Sequence, residues 1–188
     1  DLTSIFRNVY SFCEKCYGGC KKNRFNLFIY DESRDGLVSE NYFGIERFGN
    51  IGLPQPIGYS ISGKCFQEGK LFVINNCLET DLIPERFVKE LNLKTVAAVP
   101  VLYMGKPIGV LRVDNMENTF AFSEEDVELF ILIADQLGLI IENVKLLEKQ
   151  KKDSEIIQDI DKIYRNTIAN AQGIAYSFLM KNDYYDFI

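Results

Sequence analysis

The sequence predicts an α+β protein in which a central antiparallel sheet is flanked by helices. Two pairs of apolar, aromatic-rich segments are each joined by a short turn that contains glycine, which indicates two β-hairpins. Near both ends of the chain, apolar residues recur every three or four positions, which is the period of an amphipathic helix. With 188 residues, the chain is long enough for one full domain and part of a second.

The first predicted elements are an N-terminal helix and a hairpin. In LTSIFRNVYSFCEKCY the apolar residues form one stripe, and the glycine pair that follows ends the helix. In NRFNLFIYDESRDGLVSENYFG the pair Asp35 and Gly36 suits the tight turn of a hairpin. The proline-containing range 48–58 is predicted to be a loop.

The middle of the chain is predicted to hold two short helices, one strand and a second hairpin. SISGKCFQEG predicts a helix that ends at Gly69, LFVINN predicts a strand, and a second short helix follows with Pro84 in its first turn. TVAAVPVLYMGKPIGVLRVDN is the second hairpin, with Gly105 in its turn. Ser123 then begins a long helix, because Ser-Glu-Glu-Asp has the form of a capping box.

The last helix carries apolar residues on more than one side. Two adjoining stripes with three- and four-residue spacing contain Phe130, Ile133, Leu137, Ile140, Ile141, Val144 and Leu147. This surface is wider than one sheet needs, so these residues predict a homodimer in which the N- and C-terminal helices of two chains form a parallel bundle. The alternative is a monomer whose own N-terminal helix covers the surplus.

This order of elements resembles the GAF domain, a small-molecule sensor fold of signalling proteins. IGYSISGKCFQEGKLFVINN is similar to the family's small helix, turn and short strand, LKTVAAVPVLYMGKPIGVLRVDN to its paired strands, and FSEEDVELFILIADQLGLIIENVKLLEK to its closing helix. The resemblance covers residues 1–150. It implies long N- and C-terminal helices on one face of the sheet, and short helices and loops over a ligand pocket on the other face.

The resemblance also implies which residues line that pocket. Along IGVLRVD the side chains alternate between the two faces of the sheet, so Val110, Arg112 and Asp114 share one face. The pocket candidates are Phe28, Tyr30, Tyr42, Ser60, Ser62, Phe66, Asn75, Val99, Arg112 and Asp114. The aromatic members suit a packed core equally well, and Arg112 with Asp114 also suits a solvated strand end.

The C-terminal part predicts a link to further domains. After Leu147 a polar run, EKQKKDSE, precedes renewed apolar spacing, so residues 151–170 are predicted to be a helical signalling linker. Residues 171–188 resemble the start of a PAS domain, with IAYSFLM and YYDFI as strands around a KND turn. We interpret the sequence as a piece of a longer bacterial or archaeal sensor of the two-component type. Its catalytic output, such as a histidine kinase or cyclic-dinucleotide enzyme, would lie outside these residues.

Composition and charge exclude several functions. The chain has no histidine, which removes His-based catalytic triads, phospho-acceptor histidines and most zinc sites from it. A net charge of −6 disfavours nucleic acid as a direct partner. The longest apolar stretch, FILIADQLGLII, is shorter than the roughly 20 residues of a membrane span, and no signal peptide is recognisable, so we expect a cytoplasmic protein without membrane contact.

Three functions fit these observations. The first is a small-molecule-sensing regulatory domain, without catalytic residues or a resident cofactor, whose ligand state passes through a dimeric helical bundle to PAS and output domains. The second is a ligand-free dimerisation spacer whose pocket is filled by its own aromatic side chains. The third is a cysteine-based redox or metal sensor, because Cys13, Cys16 and Cys20 lie close together, although their spacing also suits one buried helix face. GAF relatives that reduce methionine sulfoxide use a cysteine set whose local pattern is not matched here.

Overall fold

A computed structural model of the chain describes residues 7, 11, 23–43 and 54–183, with side chains for residues 7, 11, 23–39 and 54–168. Apart from residues 7 and 11, the predicted N-terminal helix lies outside the described residues. The predicted cysteine site at Cys13, Cys16 and Cys20 also lies outside them. The chain divides into two compact units, Asp1–Val144 and Lys145–Ile188.

A six-stranded antiparallel sheet forms the centre of the first unit. In space the strand order is β3-β2-β1-β6-β5-β4, so β1 and β6, which are distant in the sequence, are neighbours at the middle of the sheet. The predicted α+β class with a central antiparallel sheet is confirmed. The strands are β1 (Asn23–Asp31), β2 (Gly36–Phe43), β3 (Gln55–Pro56), β4 (Phe72–Ile74), β5 (Thr95–Tyr103) and β6 (Lys106–Asn115).

Both predicted hairpins form, and their turns use backbone with a positive φ. Asp35, with φ of 45°, precedes Gly36 between β1 and β2, while Met104 at 49° and Gly105 at 76° form the turn between β5 and β6. At Met104 and Gly105 two successive left-handed residues match the twist of a two-residue hairpin, whereas the four-residue turn between β1 and β2 has one such residue, Asp35. The strand β3 corrects the predicted loop: Gln55–Pro56 pairs with the outer edge of β2, where the missing N–H of a proline is tolerated.

The helices of the described residues are α1 (Ile61–Glu68), α2 (Glu85–Glu90) and α3 (Glu124–Asp183), with a short 3₁₀ helix at Cys77–Glu79. α1 begins at Ser60, whose Oγ accepts a hydrogen bond from the Gly63 N–H at 3.1 Å, and it is followed by Gly69 in the left-handed conformation. The predicted capping box at α3 is present. The Asp126 N–H donates to Ser123 Oγ at 3.2 Å, and the Ser123 N–H donates to Asp126 Oδ2 at 2.8 Å.

The N-terminal part of α3 covers one face of the sheet. Gly138 permits this close approach, because a Cβ at that position would overlap the carbonyl oxygen of Leu102. The result is a continuous apolar core between helix and sheet. The helix contributes Phe130, Ile133, Ala134, Leu137 and Ile141, and the strands contribute Phe25, Leu27, Ile29, Ala97, Val99, Val101, Leu111 and Val113.

This packing corrects the predicted dimer interface. Four of its members are buried in the chain's own core and are therefore not available to a second chain: Phe130, Ile133, Leu137 and Ile141. Ile140 and Val144 are partly buried, whereas Leu147 is 64% exposed. The sequence pattern marked these residues as apolar, but it did not distinguish contact with the chain's own sheet from contact with a partner.

The C-terminal residues are helical as far as the structure describes them. The strand predicted at IAYSFLM is wrong, because α3 extends through these residues to Asp183. A helix satisfies its backbone hydrogen bonds within the segment, whereas a strand needs neighbouring strands to do so. The assignment of residues 171–188 to a PAS domain stays a prediction. Among the described residues, no helix is long and apolar enough to cross a membrane.

Candidate functional site

The face of the sheet opposite α3 carries polar and charged side chains at its centre. Leu111 and Val113 of β6 face α3. Because side chains alternate along a strand, Val110, Arg112 and Asp114 point to the opposite face. The antiparallel register places matching residues of β1 directly beside them. The facing pairs are Arg24 with Asp114, Asn26 with Arg112, and Phe28 with Val110.

Asp114 is the centre of a buried charge cluster. Its side chain is 0% exposed, and its Oδ2 accepts hydrogen bonds from Arg24 Nε at 2.9 Å and from Arg112 Nη2 at 3.0 Å. The Arg24 Nη2 and Asn26 Nδ2 also donate to this oxygen, the latter at 3.3 Å. The Oδ1 lies 2.9 Å from Arg112 Nε without the alignment of a hydrogen bond. Two guanidinium groups therefore share a single carboxylate.

The two arginines keep donors that the carboxylate does not use. Each directs its Nε and Nη2 toward Asp114, and within the residues that the structure describes neither Nη1 has a hydrogen-bond partner. The side chains are only 3% and 14% exposed for Arg24 and Arg112. The Arg112 guanidinium also lies 5.4 Å above the ring of Phe28, which restricts its orientation.

A cavity of about 460 Å³ opens over this cluster. Both arginines line it, together with Phe28 and Val96 of the sheet. The opposite walls are mainly apolar and come from the N-terminal end of α1, the segment around β3 and the region of α2. Glu90 also lines the cavity, but it is exposed to solvent. The volume lies within the roughly 300–1,000 Å³ that small-molecule sites occupy.

Five of the predicted pocket residues line the cavity or lie beside it, in the charge cluster or in the apolar cluster on the same face of the sheet. Phe28, Ser60 and Arg112 line the cavity, and Asp114 lies directly behind the arginines. Phe66 belongs to the apolar cluster on this face of the sheet. Its ring stacks on a sixth candidate, Tyr30, at 4.8 Å between centroids, and Tyr30 also donates a hydrogen bond to Asp35 at the turn.

The other predicted pocket residues are placed differently. Val99 packs on the opposite face of the sheet, in the core with α3. Asn75 is exposed, and its backbone oxygen accepts hydrogen bonds from the Phe120 N–H and the Thr95 hydroxyl. Ser62 is buried and its Oγ has no hydrogen-bond partner among the described residues, although it does not line the cavity. The side chain of Tyr42 lies outside the described residues.

Sequence reasoning missed Arg24 and Asn26. Both are almost completely buried, at 2% and 0% exposed, although their residue types are usually found at the surface. The signal was present in NRFNLF, where polar residues alternate with Phe25 and Leu27. This alternation places Arg24 and Asn26 on the same face as Phe28, but only the pairing of β1 with β6 brings them to Asp114.

The described cysteines are not suited to thiolate chemistry. Cys65 and Cys77 are free thiols in the apolar cluster on the cavity side. Burial raises the pKa of each thiol to about 12, and the Asp114 carboxylate adds to the effect at Cys77. Within the described part of the chain, no group of three His, Cys, Asp or Glu side chains is arranged to hold a metal ion.

Comparisons with known proteins agree with this architecture. A family model for the GAF domain matches residues 1–142. Among solved structures, a methyl-accepting chemotaxis protein superposes with a TM-score of 0.65 and 23% identity over 78% of this chain and 92% of that chain. Free methionine-R-sulfoxide reductase from Neisseria meningitidis, in complex with its substrate, gives 0.64 and 18% over 78% and 81%. At such identities the likeness shows the fold alone.

One curated relative comes from a signalling pathway. Hybrid signal transduction histidine kinase G of Dictyostelium discoideum is 28% identical over 79 residues, which is 42% of this chain and 2% of that kinase. The match therefore concerns one small region of a much longer protein. Because the family model covers most of this chain, and the sheet with its flanking helices has the corresponding fold, the chain belongs to the GAF domain family.

Proposed function

We propose that this chain is the small-molecule-sensing regulatory domain of a signal-transduction protein. The observation that carries the proposal is the cavity of about 460 Å³ on the face of the sheet opposite α3, with two buried arginines in its wall. An apolar cavity with a few fixed polar groups is the usual form of a ligand site. Family membership and the signalling relatives support a regulatory role.

The strands offer a direct route from the cavity to α3. In β6, Arg112 lines the cavity, whereas its neighbours Leu111 and Val113 pack in the core with the helix. A ligand that pulls on Arg112 therefore acts on the same strand that supports α3. Such a ligand changes the output only by binding one arrangement of strand and helix more tightly than another.

Dimerisation remains part of the proposal, with a different set of contact residues. In α3, Leu132 and Leu139 are 62% and 52% exposed, and Leu146 follows after another seven residues at 51%. A seven-residue repeat is typical of a two-stranded coiled coil, so the proposed partner is the same helix of a second copy. The predicted members Ile140, Val144 and Leu147 would lie at the edges of this contact.

The dimer is tested by analytical ultracentrifugation at micromolar concentration. Leu139→Glu should shift the chain to monomer, because it places a charge in the apolar contact. Leu78→Glu makes the same substitution at an exposed leucine outside α3 and should leave the dimer intact. A wild-type monomer, or a dimer that tolerates Leu139→Glu, would contradict the proposed contact.

The output of the whole protein is proposed by analogy alone. The histidine kinase relative and the chemotaxis protein both belong to signalling systems, so we propose a cytoplasmic sensor whose catalytic output is carried by another domain. Residues 151–170 would then act as the helical linker, with a PAS domain following it. A cysteine-based activity like that of the methionine sulfoxide reductases has less support, because Cys65 and Cys77, the cysteines that the structure describes, are buried with raised pKa values.

The open cavity favours a sensor over a ligand-free spacer. Phe28 and Phe66 are buried in the cluster on this face, yet the cavity remains beside them. Native mass spectrometry of protein purified without added ligand, compared with its denatured mass, tests this choice. We expect extra mass on the wild type that is lost on denaturation.

The specificity of that signal is tested with a matched pair of variants. Leu82→Trp enlarges a cavity-lining side chain and should abolish the bound mass, whereas Leu78→Trp changes an exposed side chain that does not line the cavity and should retain it. A bare mass for the wild type, both as purified and after incubation with a metabolite extract, would favour the spacer.

A further inference from the structure

We propose that the cavity selects a small monocarboxylate with a compact apolar body. This inference rests on the proposed function, because it names the ligand class of the same site. It is carried by the composition of the buried cluster, in which Arg24 and Arg112 face the single carboxylate of Asp114. The cluster therefore has one positive charge more than it has negative charges.

Burial makes this excess charge significant. The Arg24 and Arg112 side chains are 3% and 14% exposed, so water compensates their charge poorly. A buried charge without a counter-ion is strongly unfavourable, and a bound anion would remove that cost. Glu90 also lines the cavity, but its exposure to solvent weakens its effect on the buried pair.

The unused donors define the chemistry of the anion. Each guanidinium directs two of its nitrogens to Asp114, and the Nη1 groups have no partner within the described residues. Planar N–H donors of this kind match the oxygens of a carboxylate. The first turn of α1 borders the same cavity through Ser60 and Ile61, and the positive end of its dipole also favours an anion.

The charge balance favours a singly charged ligand over a phosphate ester. One carboxylate neutralises the excess charge, whereas a phosphate group, with roughly −1.5 to −2 charges at neutral pH, would exceed it. Glu90, where it lines the cavity, would also oppose a second negative charge. The remaining walls, including Ile83, Leu91 and Val96, are apolar and suit an aliphatic or aromatic body.

The test uses matched pairs of probes that share a body and differ in charge. Phenylacetate is compared with phenylacetamide, and hexanoate with hexanamide, by titration against the full chain and observation of the ligand by NMR. We expect both carboxylates to bind and both amides to bind at least about 10-fold more weakly, since a hydrogen bond to a charged group contributes roughly that factor or more. Phenyl phosphate serves as the doubly charged probe and should bind more weakly than phenylacetate.

Variants of the protein assign the effect to the cluster. Arg112→Gln should weaken phenylacetate binding by about 10- to 100-fold and should leave phenylacetamide unchanged. Arg86→Gln removes the same charge from an exposed residue that does not line the cavity, and should have no such effect. Glu90→Gln should tighten phenylacetate binding about 2- to 5-fold, and it tests the proposal independently if Arg112→Gln does not fold.

The outcomes separate this inference from the proposed function. Equal binding of acids and amides would overturn the carboxylate class while supporting a small-molecule site. Stronger binding of phenyl phosphate, or no response to Glu90→Gln, would also overturn it. If no probe binds, the carboxylate inference fails, and the sensor role is then decided by the native mass measurement alone.

Discussion

The two faces of the sheet are built from the same strands but carry different kinds of side chain. On the α3 side, Leu111 and Val113 of β6 belong to an apolar core with the helix. On the cavity side, Arg112 and Asp114 of the same strand belong to a buried charge cluster. Alternation along a strand therefore separates the residues that stabilise the fold from those proposed to bind a ligand, although they are neighbours in sequence.

The difference also explains why charged residues are found in the interior. A buried ion pair contributes little to stability compared with apolar packing of the same volume. On the α3 face the helix packs against apolar side chains of the strands, and the buried ion pairs among the described residues lie on the other face. This contrast supports the proposed role of the charge cluster in ligand binding.

The largest expected effect comes from removing the shared carboxylate. Asp114→Asn leaves two guanidinium groups without their counter-ion, and should lower the free energy of unfolding by about 3–5 kcal/mol. Asp161→Asn, the matched control, breaks an exposed pair with Arg165 and should change stability little. Urea unfolding measures both. An equal loss of unfolding free energy in the two variants would mean that solvent screens the charges of the Asp114 cluster as well as it screens those of the exposed pair.

A slightly smaller effect is expected on the α3 face. Leu137→Ala creates a cavity in the core and should lower the free energy of unfolding by about 2–5 kcal/mol. Leu139→Ala, two residues along the helix, removes the same atoms from a side chain that is 52% exposed. At low concentration it should stay within about 0.5 kcal/mol of the wild type. Similar losses for both would show that α3 packs in another orientation.

Gly138 provides a test in which the sign is informative. In an open helix, Gly→Ala stabilises by about 1 kcal/mol. Here the added methyl group meets the carbonyl oxygen of Leu102, so Gly138→Ala should destabilise the chain by about 1–3 kcal/mol. Gln136→Ala, at an exposed position of the same helix, is the control. A higher melting temperature for Gly138→Ala would contradict the close contact of α3 with β5.

The smallest effect concerns the thiols on the cavity side. Burial raises the pKa of Cys65 and Cys77 to about 12 in the folded chain, whereas unfolded thiols ionise near pH 9. Their contribution to stability is therefore complete below about pH 9 and is lost as the pH rises toward 12. Urea unfolding between pH 8 and 10 should show the decline, and Cys65→Ala with Cys77→Ala should reduce it.

The same thiols should resist modification in the folded chain. In a variant with serine at Cys13, Cys16 and Cys20, we expect no reaction with a disulfide reagent at pH 8 until urea is added. Rapid reaction of the native protein would show that the cavity-side cluster opens readily.

Local chemistry explains why much of the fold was predictable. The turn at Gly105, the helix start at Ser60 and the capping box at Ser123 each depend on a few adjacent residues, and all are present. The alternation of β6 was equally visible, because charged residues alternate with apolar ones. Val99 was different: both faces of β5 are apolar, so the sequence offered no contrast that shows which face it occupies.

The remaining errors depend on long-range contacts. Arg24 reaches Asp114 only through strand pairing across 90 residues, which no local pattern reveals. The apolar stripe of α3 fits both its own sheet and a partner helix, so Phe130 and Leu137 were assigned to the wrong neighbour. IAYSFLM has strand-like residues but lies in a helix.

The comparison of the two faces is tested most directly on adjacent residues of β6. Phenylacetate affinity and melting temperature are measured for the wild type, Arg112→Gln and Val113→Ala. We predict that Arg112→Gln weakens binding at least about 10-fold. Val113→Ala should lower the melting temperature through lost core packing and leave the affinity within about 3-fold of the wild type. Equal loss of binding in both variants, or unchanged binding in Arg112→Gln, would contradict the division of the sheet into a structural and a binding face.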